Sequence, residues 1–103
     1  MLAVALTGCT ATRTTQEKTA GWSNNRIYSE ARDERSSGGY DRAVELYNVL
    51  EGRAAGTTLA QQAQLEKAYT QYQNAEYEEA VATLDRFIRL NPARQGLDYA
   101  YYL

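Results

Sequence analysis

Histidine is absent from the sequence, and cysteine and proline each occur once. The lack of histidine removes the most common general base and the most common metal ligand in proteins. A single cysteine, Cys9, excludes an internal disulfide, and the sequence has no glycine-rich phosphate-binding loop. These absences argue against an enzyme. We therefore expect no catalytic residue, no metal site and no cofactor.

An excess of positive charge is also missing, because 11 basic residues stand against 13 acidic residues. A nucleic-acid surface requires clustered Lys and Arg, so no nucleic-acid partner is expected. Tyrosine, in contrast, is abundant: nine residues accompany one Phe and one Trp. A tyrosine ring with its polar tip suits surfaces that are half buried and half solvated. The chain of 103 residues is long enough for one small domain.

The start of the chain resembles part of a bacterial lipoprotein signal. Residues 2–6 are apolar, but this run is too short for a complete signal peptide or a membrane span, and no basic residue precedes it. The tetrapeptide LTGC at residues 6–9 resembles the lipobox, which consists of Leu, a small residue, Gly or Ala, and Cys. The resemblance implies cleavage before Cys9 and acylation of both its thiol and its new amino terminus, since stable anchoring needs two or more chains. The alternative is a chance match of four residues.

We therefore predict that residues 1–8 are a partial lipoprotein signal peptide, in a chain that is a fragment or whose true start lies upstream. Residues 10–24 are polar, rich in Thr and without an apolar period, which is typical of a disordered linker. Residues 9–24 are thus predicted to be a lipidated cysteine with a flexible tether. In enteric-type bacteria Asp after the cysteine tends to hold lipoproteins in the inner membrane, so Thr10 resembles the outer-membrane default.

The sequence repeats itself after residue 24 at a fixed offset. Matching residues of similar character recur 37 positions apart, and seven matches at one offset are difficult to obtain by chance. The pairs are Tyr28 and Leu65, Ala31 and Ala68, Tyr40 and Tyr77, Ala43 and Ala80, Val44 and Val81, Tyr47 and Leu84, and Leu50 and Phe87.

Each copy of the repeat is predicted to form two helices. Over residues 77–88, apolar side chains recur at the spacing of one helical face. Thr58 with Gln61 has the pattern of a capping box and predicts a helix start. Three further boundaries follow from residues that end helices, namely Gly38-Gly39, Gly52 and Asn91-Pro92.

Small residues at the predicted helix crossings resemble the tetratricopeptide repeat. The second copy has the expected spacing, with Ala68, Ala80, Leu84 and Pro92, while the first has Ala31, Ala43, Tyr47 and then Ala55 in place of Pro. We predict an all-α fold over residues 25–103, a tetratricopeptide-like helix-pair solenoid of two repeats after a disordered N-terminal tether. Residues 97–103 are too apolar for a solvated end and predict the start of a third repeat, truncated at the C-terminus.

Two tracts carry a more specific resemblance, LDRFIRLNP at residues 84–92 and LDYAYYL at residues 97–103, supported by AYTQYQNAEYEEA at residues 68–80. Together with the lipobox and the tether, they resemble the N-terminal part of the BamD family, also called ComL. The resemblance implies a lipoprotein on the periplasmic face of the outer membrane, anchored by lipid on Cys9. It implies that the protein acts together with BamA, which binds the later repeats, and with other Bam lipoproteins. It also implies recruitment of unfolded outer-membrane proteins by an aromatic-ended, C-terminal strand segment.

The repeat register predicts a peptide groove on the first helix of each pair. Tyrosine rings can stack on an aromatic peptide end, and arginine can bind its carboxylate. The expected lining residues are Tyr28, Arg32, Arg35, Gln62, Tyr69, Tyr72 and Gln73. Two alternatives stay open: the tyrosines on the third helix pack between repeats, or the two arginines belong to a solvated end helix.

Two alternatives to a role in barrel assembly stay open. A tetratricopeptide lipoprotein of the envelope can instead scaffold peptidoglycan enzymes or pilus assembly, because fold alone does not determine function. A fragment of two repeats can also lack any function, since such a short solenoid has marginal stability.

Overall fold

The computed structural model of the protein describes residues 14–90, and within them it contains helices and turns but no strand. Four helices follow one another: α1 (Asn24–Ser36), α2 (Tyr40–Arg53), α3 (Thr58–Gln73) and α4 (Tyr77–Leu90). Each packs against its neighbour in sequence, as expected for stacked helix pairs. The all-α prediction is confirmed. Cys9, Pro92 and the predicted start of a third repeat at residues 97–103 lie outside the described residues.

The two helix pairs reverse direction through equivalent turns. Gly38 after α1 has φ +90°, and Ala75, 37 residues later, has φ +62°. The hydrogen bond that closes each turn is also equivalent. The Gly39 N–H donates to Glu34 O at 2.7 Å, and the Glu76 N–H donates to Gln71 O at 2.8 Å. The repeat predicted from the sequence is therefore present in the backbone geometry.

Two predicted helix boundaries were wrong. The hydroxyl of Thr57, rather than Thr58, accepts the Ala60 N–H at 3.2 Å, because Thr57 has the extended backbone that a capping residue needs. Gly52 does not end α2, which continues to Arg53, because the Ala54 N–H still bonds to Leu50 O. The loop bends instead at Gly56, whose φ of +84° suits a residue without Cβ.

Alanines lie where the helices approach one another. Ala31, Ala43, Ala68 and Ala80 are all buried, at 0–5% exposed. A bulkier side chain at such a crossing would cost about 1–3 kcal/mol. One apolar cluster joins the first three helices and a second joins α3 to α4. Their larger members are Ile27, Leu46, Tyr47, Val49 and Leu50 in the first, and Leu65, Leu84 and Phe87 in the second.

The apolar face predicted for α4 is only partly buried. Tyr77 and Val81 remain 57% and 65% exposed, and with Tyr72 they border a cavity of about 530 Å³ between α3 and α4. Their equivalents in the first pair, Tyr40 and Val44, are half-buried. In the first pair, α3 packs against α2, whereas no described helix follows α4. This difference in position explains the difference in burial.

The segment before α1 differs from the predicted tether. Residues 14–18 are helical, and Thr15 and Thr19 are buried. The Thr15 hydroxyl donates to Glu45 Oε1 at 2.6 Å. Arg53 donates to the backbone oxygens of Thr19 and Trp22, at 3.3 and 2.7 Å. Because these polar groups find partners on α2, residues 14–22 pack against the domain, and this part of the tether prediction was wrong.

Candidate functional site

The side chains predicted for the groove lie on α1 and α3. Helical spacing places Tyr28, Arg32 and Arg35 along one stripe of α1. It places Gln62, Tyr69 and Gln73 along a stripe of α3. We refer to the surface formed by these residues together with Glu66 as the α1–α3 face.

The carboxylate of Glu66 is the centre of this face. Its Oε1 accepts from Arg35 Nη2 at 3.1 Å and from the Tyr47 hydroxyl at 3.5 Å. Its Oε2 accepts from the Tyr28 hydroxyl at 3.1 Å and from Gln62 Nε2 at 3.3 Å. One carboxylate thus binds donors from α1, α2 and α3.

Arg35 is largely withdrawn from solvent, with 16% of its side chain exposed. Its guanidinium carbon lies 5.2 Å from the centre of the Tyr69 ring, within the range of a cation–π contact. A cavity of about 230 Å³ opens beside the pair and is lined by Arg35, Gln62, Leu65, Glu66 and Tyr69. The solvated-end alternative therefore does not describe Arg35, which lines the inner surface.

Arg32 has a different environment from Arg35. Its side chain is exposed, and its guanidinium carbon lies 5.8 Å from the centre of the Tyr28 ring. Among residues 14–90 it has no carboxylate partner within salt-bridge distance. Arg32 is thus a free cation beside an aromatic ring at the rim of the α1–α3 face.

Two predicted residues do not join the polar cluster. Tyr72 lies against Tyr77, with ring centres 5.4 Å apart and planes at 61°, on the wall of the cavity between α3 and α4. Gln73 is exposed at the end of α3. The structure therefore brings together Tyr28, Arg35, Gln62 and Tyr69, with Arg32 at the rim.

Sequence reasoning missed Glu66. The signal was present, because Glu66 continues the stripe of Gln62, Tyr69 and Gln73 at helical spacing. A carboxylate on a helix is usually a solvated residue, so spacing alone gives no reason to single it out. Its role becomes visible only when α1 supplies Arg35 and Tyr28.

A second polar cluster lies between α2 and α3. Lys67 Nζ is 2.9 Å from both Glu51 Oε2 and Asn48 Oδ1, and Arg86 of α4 is 3.6 Å from Glu51 Oε1. Burial lowers the pKa of Lys67, and the neighbouring Glu51 carboxylate opposes that shift. The cluster connects three helices. Over residues 14–90 no group of three or more His, Cys, Asp or Glu side chains is placed to hold a metal ion.

Fold and site together define a class: tetratricopeptide-like helical-repeat proteins with a polar and aromatic face along the first helix of each pair. Sequence comparison identifies the family within this class. The chain matches the YfiO family, described as "Outer membrane lipoprotein", over residues 21–103 and belongs to it. Membership places the protein in the outer membrane. No helix described between residues 14 and 90 has the length and apolar character to cross a bilayer.

Several curated relatives are named "Outer membrane protein assembly factor BamD". The chain is 45% identical to the one from Neisseria meningitidis serogroup B, with alignment over 99% of this chain. It is 43% identical to that from Neisseria gonorrhoeae over 99% of the chain, and 33% identical to that from Vibrio cholerae over 77%. The chain spans 39% of the length of both Neisseria relatives and 33% of the Vibrio protein.

Burial raises the pKa of the Tyr47 phenol well above the usual value of about 10, and the nearby Glu66 carboxylate raises it further. A raised pKa means that the folded state favours the neutral phenol. This contribution to stability is complete below about pH 10 and is lost as the pH rises further. Burial and Glu66 also raise the pKa of Tyr28.

We predict that Tyr47→Phe makes the free energy of unfolding fall less steeply with pH above about pH 10, by up to about 1.4 kcal/mol per pH unit. The lowered pKa of Lys67 changes the pH dependence of stability in the opposite direction. Lys67 is present in both proteins, so the difference between their slopes isolates Tyr47. Urea unfolding at a series of pH values measures the slopes. Tyr77→Phe, at an exposed tyrosine, is the matched control and should follow the wild type. Equal slopes for all three proteins would contradict the prediction.

Proposed function

We propose that the chain is the N-terminal part of a non-enzymatic lipoprotein of the β-barrel assembly machinery. In this proposal the α1–α3 face recruits unfolded outer-membrane proteins by an aromatic-ended, C-terminal strand segment. The observation that carries the proposal is the juxtaposition of half-buried Tyr28 and Tyr69 with the cations of Arg32 and Arg35. The names of the relatives, assembly factors of outer-membrane proteins, support the broader role in assembly.

The chemistry of such a peptide end matches the face. An aromatic side chain can stack on a tyrosine ring, which presents π surface and retains a polar tip. Tyr69 is half-buried, so its ring is fixed while one part stays accessible. A terminal carboxylate needs a cation with free donors, and Arg32 is exposed without an ion pair among the described residues. Gln62 and Gln73, both exposed, offer amide groups to an extended backbone.

The cavity between α3 and α4 is a weaker candidate for the peptide. The 37-residue offset maps its lining residues Ala80 and Leu84 onto Ala43 and Tyr47, which are fully buried within the stack. A face that is covered in one repeat is expected to be covered in the next, once further helices follow. We therefore assign recognition to the α1–α3 face.

The remaining partners are part of the same proposal and are suggested by the resemblance to the BamD family. We propose that lipid on Cys9 anchors the protein to the periplasmic face of the outer membrane. Contacts with BamA and the other Bam lipoproteins complete the assembly, and BamA binds the later repeats. No cofactor, catalytic residue or nucleic acid takes part.

A peptide titration tests recognition. We predict that the purified chain binds a labelled barrel-protein C-terminal peptide ending in Phe more tightly than the same peptide without Phe. Tyr69→Ala removes the stacking ring and should weaken binding of the Phe-ended peptide about 2- to 10-fold. Fluorescence anisotropy measures both affinities, and circular dichroism verifies that the variant is helical.

Tyr77→Ala is the matched control, because this tyrosine is exposed on α4, outside the α1–α3 face. It should keep the wild-type affinity. Equal binding of both peptides by the well-folded chain, or equal losses from the two tyrosine variants, would contradict recognition at this face. That result would favour a scaffold role in the envelope.

Lipid attachment has a separate test. We predict that Cys9→Ser in the full-length parent, expressed with its signal, leaves helicity unchanged and moves the protein from the outer-membrane fraction to the soluble periplasm, because the acyl chains are lost. Membrane fractionation and immunoblotting measure the distribution. A Cys9→Ser protein that remains in the outer-membrane pellet after a salt wash would contradict the anchor.

A further inference from the structure

Arg35 already binds a carboxylate, that of Glu66. The two side chains are 3.1 Å apart, and each is 16% exposed. The pair therefore lies in a partly desolvated environment, where charges interact more strongly than in water. The Tyr28 and Gln62 side chains hold the other oxygen of Glu66 and fix the carboxylate in place.

Arg35, which lines the small cavity of the α1–α3 face, keeps unused donor capacity. Its Nε is buried and has no hydrogen-bond partner in the structure. A guanidinium offers five N–H donors and can bind a carboxylate with two of them at once. The single contact to Glu66 uses only part of this capacity.

A peptide C-terminus and Glu66 present the same chemical group to Arg35. If both carboxylates approach one guanidinium, they repel each other, and the repulsion is greatest where water is excluded. The incoming carboxylate must then displace Glu66 or share Arg35 with it. Either route lowers the affinity of the peptide.

We propose that Glu66 is an internal competitor for the peptide carboxylate and thereby sets the affinity of the α1–α3 face for free C-termini. This inference rests on the proposed function and deepens it: the wild-type face holds a C-terminus weakly because its second arginine is neutralised. Arg32 makes the first contact at the rim. Arg35 becomes fully available only as Glu66 gives way.

The test uses the full chain and two peptides that differ only at the end, one with a free carboxylate after Phe and one amidated. Glu66→Gln keeps the size and an acceptor oxygen but removes the charge. It should raise affinity for the carboxylate peptide about three- to tenfold and change affinity for the amidated peptide less than twofold. The double variant Arg35→Gln/Glu66→Gln should lose this gain.

Glu79→Gln is the matched control, because it makes the same change in net charge at an exposed position of α4. It should leave both affinities unchanged. Tyr28→Phe is a second variant, because it keeps the ring but removes one donor that holds Glu66. It should raise affinity for the carboxylate peptide in the same direction, by a smaller factor. This variant keeps the test decisive if Glu66→Gln fails to fold.

The outcomes separate the two proposals. If the wild type prefers the Phe-ended peptide but neither Glu66→Gln nor Tyr28→Phe strengthens binding of the carboxylate form, the competitor role is overturned and the proposed recognition stands. A gain shared equally by the amidated peptide also overturns it. If no protein distinguishes the Phe-ended peptide from its control, the proposed function fails and the competitor role fails with it.

Discussion

One partly buried carboxylate connects most of this structure. Glu66 accepts hydrogen bonds or an ion pair from Tyr28 and Arg35 of α1, from Tyr47 of α2 and from Gln62 of its own helix. A carboxylate withdrawn from water is stabilised by several donors, so these contacts favour one arrangement of the side chains. The first three helices are fixed relative to one another by these contacts, and by the alanines that let their backbones approach.

The same arrangement gives the α1–α3 face its chemistry. Tyr28 donates its hydroxyl to Glu66 and is only half-buried, and Tyr69 beside it is half-buried as well. Of the two arginines, Arg35 is neutralised by Glu66 and Arg32 remains free among the described residues. A face of this kind suits an extended peptide with an aromatic end, because it combines stacking surface with graded positive charge. The relatives are named for outer-membrane protein assembly, which is the broader role within which we propose this use.

Much of the fold could be predicted from the sequence, because a 37-residue repeat and helical spacing are local signals. The small residues at the helix crossings and the turn at Gly38 could be predicted directly from these local signals. The predicted capping residue of α3 was wrong by one position, because two adjacent threonines offer the same hydroxyl and only the backbone conformation distinguishes them. Packing of residues 14–22 depends on Arg53 and Glu45, far along the chain, and composition cannot reveal such contacts. Glu66 escaped prediction for the same reason, because its partners lie on three helices.

Photocrosslinking in cells tests most directly whether the α1–α3 face receives barrel polypeptides. A photoreactive amino acid replaces Gln73 on this face of the full-length parent, or the exposed Asp85 of α4 as the reference position. We predict that newly made outer-membrane barrel proteins crosslink at position 73 and not at position 85, and that truncating their C-terminal aromatic residue abolishes the product. Equal crosslinking at both positions, or crosslinking that survives the truncation, would contradict recognition at this face.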